Sequence, residues 1–174
     1  MPAKDLVTDF KNSLEHAYAY MPMWNRNIRT LLREAYKREV RYDNLLDIGS
    51  GKGKPCIYAG KKHTYRKIIG VEFSQPLIEI AEKNRIKSNL PNLSFVNGDA
   101  TQYLLPDGLN LVFLVNPFDD VTLSKFIQLN LNHFKHQHSV IAYLNDVHRN
   151  TLTKFGFETF FRDQTRKISL YQLT

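Results

Sequence analysis

A glycine-rich segment between an apolar run and a helix-forming stretch constrains the fold of this chain more than any other feature. The apolar run at residues 45–48 predicts a short buried strand, and glycines follow at positions 49, 51 and 53. Glycine lacks a Cβ, so the chain can turn sharply there and approach a ligand through its backbone. Pro55, a residue favoured in a first helical turn, predicts that a helix begins at once.

Strand and helix patterns alternate over the rest of the chain. Helices are predicted at residues 75–88, where Ser74 is the expected cap, and from 119 to about 134. Further strands are predicted at residues 67–72, 93–97, 109–115 and 140–144, with a final pair at 157–161 and 167–173. This alternation predicts a doubly wound α/β fold with mostly parallel strands and helices on both faces of the sheet.

Two helical patterns precede the alternating region and divide the single domain into an N-terminal helical segment, residues 1–43, and a core, residues 44–174. The first pattern covers residues 4–20. The second has an apolar face formed by Ile28, Leu31, Leu32, Ala35 and Tyr36. For Tyr20 and Trp24, which lie between the two patterns, two interpretations stay open: a lid over an acceptor pocket, or a hydrophobic bracket between the helices.

Composition narrows the function classes. Lysine and arginine number 24 against 17 acids, a formal charge of +7 that favours nucleic acid or another polyanion, although a solvated basic surface explains it equally well. No apolar run approaches the roughly 20 residues of a membrane span, and we recognise no signal peptide. A single cysteine, Cys56, forms no internal disulfide. We therefore expect a cytoplasmic monomer or homodimer without membrane contact.

Residues suited to nucleoside binding follow four predicted strands in succession. In doubly wound sheets, ligands bind at the carboxyl ends of the strands, near the point where the strand order reverses. The candidate cofactor-binding residues are Asp47, Ile48, Gly49, Ser50, Gly51 and Gly53 at the first strand, Glu72 and Phe73 at the second, Asp99 and Ala100 at the third, and Asn116 at the fourth.

The first group favours a ligand that carries an ammonium group over a dinucleotide. Lys54 stands one position after Gly53, where a dinucleotide-binding turn would have its third glycine. A pyrophosphate needs helix amides, whereas an amino-acid ammonium needs an acidic or carbonyl partner. Asp47, directly before the turn, supplies such an acid. The alternative is a tight turn with a purely structural role.

The second and third groups suit a ribose and a purine. Glu72, about 20 residues past the glycines, is placed to accept hydrogen bonds from two ribose hydroxyls, and Phe73 to lie against adenine. Asp99 is suited to accept a hydrogen bond from the adenine amino group while the amide of Ala100 donates to a ring nitrogen. A surface acid, a core aromatic and a simple Gly-Asp turn are the structural alternatives.

This series resembles the class I S-adenosylmethionine-dependent methyltransferases over about residues 25–173, and among them small single-domain bacterial members with an Asn-Pro-Phe segment. Residues 47–53 resemble motif I of that family, Glu72 its ribose-binding acid, residues 98–100 its adenine motif and residues 116–118 its motif IV. The resemblance implies a seven-stranded sheet with a C-terminal antiparallel hairpin. It also implies S-adenosylmethionine as cofactor and direct transfer of its methyl group to a nucleophile.

The sequence leaves the methyl acceptor open. Asn116, Pro117 and Phe118, the predicted catalytic residues, resemble the Asn-Pro-Pro-aromatic motif of amino-group methyltransferases but lack its second proline. Phe118 is therefore either an acceptor platform or a packing residue. We expect transfer to nitrogen or oxygen of a small molecule or protein side chain, with a nucleic-acid (RNA) methyltransferase and an inactive nucleoside-binding module as alternatives. No metal site is expected, since the histidines at 133, 136 and 138 lack a nearby carboxylate or cysteine at ligand spacing.

Overall fold

The helices and strands alternate along the chain as the sequence predicts. The computed structural model describes residues 25–115 and 118–173. Over these ranges the helices are α1 (Asn25–Tyr36), α2 (Lys54–Gly60), α3 (Gln75–Ser88), α4 (Asp120–Gln137) and α5 (Arg149–Lys154). The strands are β1 (Asn44–Ile48), β2 (Lys67–Glu72), β3 (Leu93–Asn97), β4 (Asn110–Val115), β5 (Val140–Leu144), β6 (Phe157–Asp163) and β7 (Ile168–Leu173).

All seven strands form one mixed sheet with the order β3-β2-β1-β4-β5-β7-β6. The first five strands are parallel, while β7 is antiparallel to both β5 and β6. This confirms the predicted fold, including the C-terminal antiparallel hairpin. The strand order reverses between β1 and β4, and the edge at which the five parallel strands end, here called the carboxyl edge, is where such sheets bind ligands.

Two hydrophobic cores hold helices against opposite faces of the sheet. One includes the predicted apolar face of α1, of which Ile28, Leu31, Leu32 and Ala35 are buried, together with residues of α2. The other includes Phe126 and Phe134 of α4 and Leu152 of α5. Strands β1 and β5 are buried along their whole length, as expected for a sheet covered on both faces. Among the described helices, none has the length and apolar character needed to cross a membrane.

A buried hydrogen-bonded network closes the opposite, amino edge of the sheet. Asn44 Nδ2 donates to Asn110 Oδ1 across β1 and β4 at 2.7 Å. Asn110 Nδ2 lies 2.9 Å from His133 Nε2, and Ser139 Oγ also lies 2.9 Å from that nitrogen. Because Ser139 Oγ accepts the backbone N–H of Asn110, its hydroxyl proton is available to His133. Nε2 has a single lone pair for these two neighbours, and it can accept a hydrogen bond only in the neutral ring with the proton on Nδ1.

The main differences from prediction concern element ends. Helix α4 continues to Gln137 and ends at His138, which adopts a left-handed conformation. Strand β6 extends to Asp163 past an irregularity between Thr159 and Phe161. The helix predicted over residues 4–20, with Tyr20 and Trp24, lies outside the described residues.

The predicted cap of α3 is wrong in one respect. Ser74 occupies the N-cap position, but its hydroxyl makes no capping hydrogen bond. Pro76, at the second helical position, has no N–H to donate, and the N–H of Leu77 donates to the Ser74 carbonyl at 3.1 Å. The Ser74 hydroxyl is therefore left buried without a partner in the described structure, while the Ser74 backbone N–H donates to the Glu72 carboxylate at 2.9 Å.

Candidate functional site

The glycine-rich segment forms the sharp turn that the sequence predicts. The amides of Gly49 and Ser50 both donate to the carbonyl of Val71, at 2.8 and 3.0 Å, which ties the turn to the end of β2. Gly49, Gly51 and Gly53 have φ values of 78°, 53° and 78°. Such left-handed backbone is unfavourable for residues with a Cβ, so glycine is required for the path of the chain itself.

Gly53 and Gly70 also make room for a protein side chain. A Cβ on either glycine would overlap the ring of Phe95 on β3. The sequence interpretation, which attributed the glycines to close approach of a ligand, therefore omitted this packing requirement at Gly53. Gly70 was not singled out at all, although a glycine inside an apolar strand often marks such a close approach.

Glu72 stands at the end of β2 and connects the glycine turn to helix α3. Its side chain is buried, with 5% of its surface exposed. Oε2 accepts the N–H of Gly51 and Oε1 that of Ser74, each at 2.9 Å. Burial raises the pKa of Glu72, while the amides of Ser74 and Gly51 act in the opposite direction. Each carboxylate oxygen retains capacity for a further donor, which is what the predicted ribose contact needs.

Asp47 is completely buried in β1, on the side of the sheet that faces α2. Its Oδ2 lies 3.9 Å from the thiol of the buried Cys56, while Oδ1 has no hydrogen-bond partner among the described residues. Burial, together with the nearby charge of Glu72, raises the pKa of Asp47 to about 8. A buried polar atom without a partner is energetically unfavourable, so Oδ1 indicates a site that a ligand completes.

The end of β3 is fastened to the end of β2. Asn97 Nδ2 donates to the carbonyls of Glu72 and Phe73, at 3.1 and 3.0 Å. Asp99 Oδ1 accepts both the N–H and the hydroxyl of Thr101, at 2.7 and 2.8 Å. Asp99 thereby caps the short 3-10 turn that begins at Ala100. Its predicted contact with adenine stays a prediction.

The fourth predicted group is described only in part. Asn116 and Pro117 lie outside the described residues. Phe118 is 6% exposed and belongs to the core on the side of α4. This position favours the packing interpretation of Phe118. The structure thus brings Asp47, Ser50 and Glu72 together at the carboxyl edge, with the Asp99 loop held next to them through Asn97.

Comparison with known proteins identifies the family. A family model described as a methyltransferase domain matches residues 45–150, which include the glycine turn, Glu72 and Asp99. The chain belongs to this methyltransferase-domain family. Membership confirms the sequence-based prediction of an S-adenosylmethionine-dependent methyltransferase domain and of its cofactor.

Sequence relatives with assigned names match only part of the chain. A tRNA (guanine-N(7)-)-methyltransferase of Pediococcus pentosaceus is 29% identical over 104 residues, which are 58% of this chain and 44% of that protein. A release factor glutamine methyltransferase of Fusobacterium nucleatum is 31% identical over 62 residues, 36% of this chain and 18% of that protein. The chain therefore spans less than half the length of these relatives.

Solved structures confirm the Rossmann-like fold. The ribosomal protein L11 methylase from Lactobacillus delbrueckii subsp. bulgaricus superimposes with a TM-score of 0.59 at 16% identity and 90% coverage of both chains. At these identities the likeness shows the fold alone.

The residues at the carboxyl edge fit the cofactor of this family. Asp47 Oδ1 and Ser50 Oγ are buried polar atoms without partners in the described structure. They offer the acceptors that an ammonium group needs. Glu72 offers two fixed carboxylate oxygens to a diol. An acidic, backbone-lined site of this kind suits a positively charged nucleoside better than a pyrophosphate.

Proposed function

We propose that this chain catalyses methyl transfer from S-adenosylmethionine to a nitrogen or oxygen nucleophile of a small molecule or protein side chain. One observation carries the proposal. The buried Glu72 carboxylate is held by the amides of Gly51 and Ser74, and the neighbouring residue of the glycine turn, Ser50, has a buried hydroxyl without a partner among the described residues. Membership of the methyltransferase-domain family supports the same assignment.

The proposed binding residues divide the cofactor among three strand ends. Asp47 and Ser50 are assigned to the amino-acid part, Glu72 to the ribose hydroxyls, and Phe73, Asp99 and Ala100 to adenine. When bound there, S-adenosylmethionine would supply a methyl carbon on a positively charged sulfur for transfer to the acceptor's lone pair, with S-adenosylhomocysteine as the other product. The acceptor's proton would pass to water.

The protein's own contribution is chiefly alignment. A sulfonium is already a strong electrophile, so holding donor and acceptor in line and excluding water provide most of the acceleration. We assign this task to the segment after β4, with Asn116 orienting the acceptor and Pro117 shaping the backbone. Phe118, packed in the core, anchors the end of that segment.

A nucleic-acid acceptor is the second candidate. Several relatives are named tRNA (guanine-N(7)-)-methyltransferases, and the chain carries a formal charge of +7. The charge favours a polyanion, and the names of the relatives point to RNA among the polyanions. The relatives' substrate does not transfer directly, because the matched segments cover less than half of those proteins.

Calorimetry tests the cofactor assignment. We expect S-adenosylhomocysteine to bind the purified chain and NAD not to bind. Glu72→Ala should weaken S-adenosylhomocysteine binding by about 1–3 kcal/mol, the scale of hydrogen bonds lost to a charged group. Glu158→Gln, which removes an exposed acid on β6, is the control and should bind as the parent protein does. Equal affinity of the Glu72 variant and the parent would exclude the ribose role.

A further inference from the structure

Cationic side chains line the solvent face of α1 and continue onto the turn between β6 and β7. Those on α1 are separated by three or four residues, so they lie on one face of the helix, with about 5–6 Å between neighbouring Cβ atoms. The three on α1, Lys37 directly after the helix, and Lys167 in the turn are exposed, while Arg166 is half-buried. This surface, here called the basic ridge, consists of Arg26, Arg29, Arg33, Lys37, Arg166 and Lys167.

Direct contacts make the basic ridge continuous. Arg166 Nη1 donates to the hydroxyl of Thr30 at 2.9 Å, and that hydroxyl donates to the carbonyl of Arg26 at 3.0 Å. Thr30 is buried, with 6% of its surface exposed. The β6–β7 turn is therefore fixed one helical turn from Arg26.

The charges of the basic ridge are mostly uncompensated. Glu34, the only acid on α1, contacts both Arg33 at 2.8 Å and Lys37 at 2.7 Å, and Asp163 contacts Arg166 at 2.6 Å. No ion pair joins Arg26 or Arg29 to another described residue. Six cations against two acids leave a formal charge of +4, over half of the +7 of the whole chain.

Folding alone does not favour this arrangement. Arg26 and Arg29, Arg29 and Arg33, and Arg33 and Lys37 are like-charged pairs at helical spacings of three or four residues. Such pairs destabilise a helix, whereas alternating acids and bases at the same positions would stabilise it. A row of like charges that the helix does not need, and that the described acids compensate only in part, points to an anionic partner.

One end of the basic ridge lies at the carboxyl edge of the sheet. Ile168, the first residue of β7, pairs with Leu144, the last residue of β5. The β6–β7 turn therefore lies at the same edge as the glycine turn and Glu72. A long anion bound along α1 would extend to the edge that carries the cofactor site.

We infer that the basic ridge binds the phosphodiester backbone of a nucleic acid and guides it to the carboxyl edge. Regularly spaced guanidinium groups match the repeated charges of such a backbone, since each arginine donates paired hydrogen bonds to phosphate oxygens. As a route for the methyl acceptor, the inference rests on the second candidate of the proposed function, methyl transfer to a nucleic acid. Binding itself requires only the ridge.

Fluorescence anisotropy with the full chain and a labelled 20-nucleotide single-stranded RNA, measured between 50 and 300 mM salt, tests the inference. Arg26→Ala/Arg29→Ala should lose two phosphate contacts. The slope of the logarithm of the association constant against log salt should then be less steep by about 1.4, and binding should be about tenfold weaker at 0.15 M salt. Single-stranded DNA of the same sequence is measured in parallel. The nucleic acid that binds more tightly, RNA or DNA, is assigned as the ligand of the basic ridge.

The matched control is Lys83→Ala/Lys87→Ala. Both lysines are exposed on α3, which packs over β2 and β3 at the other end of the sheet, and the change in net charge is the same. We expect this control to bind within about twofold of the parent, because its residues lie outside the ridge. Equal losses in both double variants, or no loss in either, would overturn the inference.

Two further measurements separate other outcomes. Tighter binding of poly-glutamate or of phosphatidylserine vesicles than of nucleic acid would assign the ridge to an acidic protein or a membrane surface and overturn the inference. Calorimetry of Arg26→Ala/Arg29→Ala with S-adenosylhomocysteine should match the parent protein. If the protein fails to bind nucleic acid but still binds the cofactor analogue, the proposed methyl transfer is unaffected. Circular dichroism of the double variant verifies that α1 is retained.

Discussion

Replacing Asp47 by asparagine should make the folded protein more stable, and the gain should grow as the pH rises. Asp47 is completely buried, and burial with the nearby charge of Glu72 raises its pKa from 3.8 to about 8. At neutral pH the folded protein therefore holds a proton that the unfolded chain has released. Asparagine has nearly the same shape and carries no titrating group, so this linkage disappears in the variant.

The sign and size follow from proton linkage. Between pH 3.8 and about 8 the folded state binds one more proton at Asp47 than the unfolded state does. The free energy of unfolding consequently falls by about 1.4 kcal/mol per pH unit as pH rises, at most about 6 kcal/mol over the interval. From pH 5 to pH 8 the difference between variant and parent should widen by up to about 4 kcal/mol, or on the order of 10 °C in Tm for a chain of this size.

Thermal unfolding followed by circular dichroism from pH 5 to pH 9 measures this difference. Glu72, whose pKa is also raised, is present in both proteins, so only the part of its titration that is coupled to Asp47 differs between them. Glu158→Gln again serves as the control, because Glu158 is exposed on β6 and its removal should leave the pH profile unchanged. Parallel Tm profiles for the parent and Asp47→Asn would refute the assignment of a buried proton to Asp47.

Two other predictions concern the acceptor and the opposite edge of the sheet. Asn116→Ala should lower kcat more than it lowers affinity for S-adenosylhomocysteine, since its proposed role is to orient the acceptor; the reverse order would move Asn116 to cofactor binding. Burial lowers the pKa of His133, so below about pH 6.5 the unfolded chain takes up a proton at this residue more readily than the folded protein does. Stability from His133 should be lost as pH falls through that range, and His133→Gln should flatten the profile of urea midpoints between pH 7 and pH 5.

The sequence predicted those elements whose limits are set by residues close by in the chain. Helix α3 begins after Ser74 with Pro76 in its first turn and ends before Pro91, and its predicted limits agree with the structure. Strands β2, β3 and β5 also agree residue by residue, because polar or turn-forming residues flank each apolar run. The candidate site residues directly follow predicted strands in the sequence. Their order along the chain could therefore be predicted without knowledge of their contacts.

Contacts between distant parts of the chain were beyond this reasoning. The hydrogen bond from Gly51 to Glu72 joins residues 21 positions apart, and the Phe95 ring that requires Gly53 and Gly70 comes from a third strand. The predicted hydroxyl cap by Ser74 failed for a local reason instead, since Pro76 has no N–H and the N–H of Leu77 donates to the Ser74 carbonyl. The periodicity of apolar residues predicts which face of a strand is buried. It does not predict which side chains of other elements pack against that face.

The arrangement of charge at the carboxyl edge connects the two proposals. The acids Asp47 and Glu72 belong to β1 and β2, whereas the basic ridge reaches the edge through the turn before β7, and the sheet order places β4 and β5 between them. A positively charged donor would thus lie next to Glu72, and a nucleic-acid acceptor would reach the other side of the same crevice along the basic ridge. The end of β4 lies between the two sides, and Asn116, which follows β4 in the sequence, is the residue that we propose to orient the acceptor for in-line transfer.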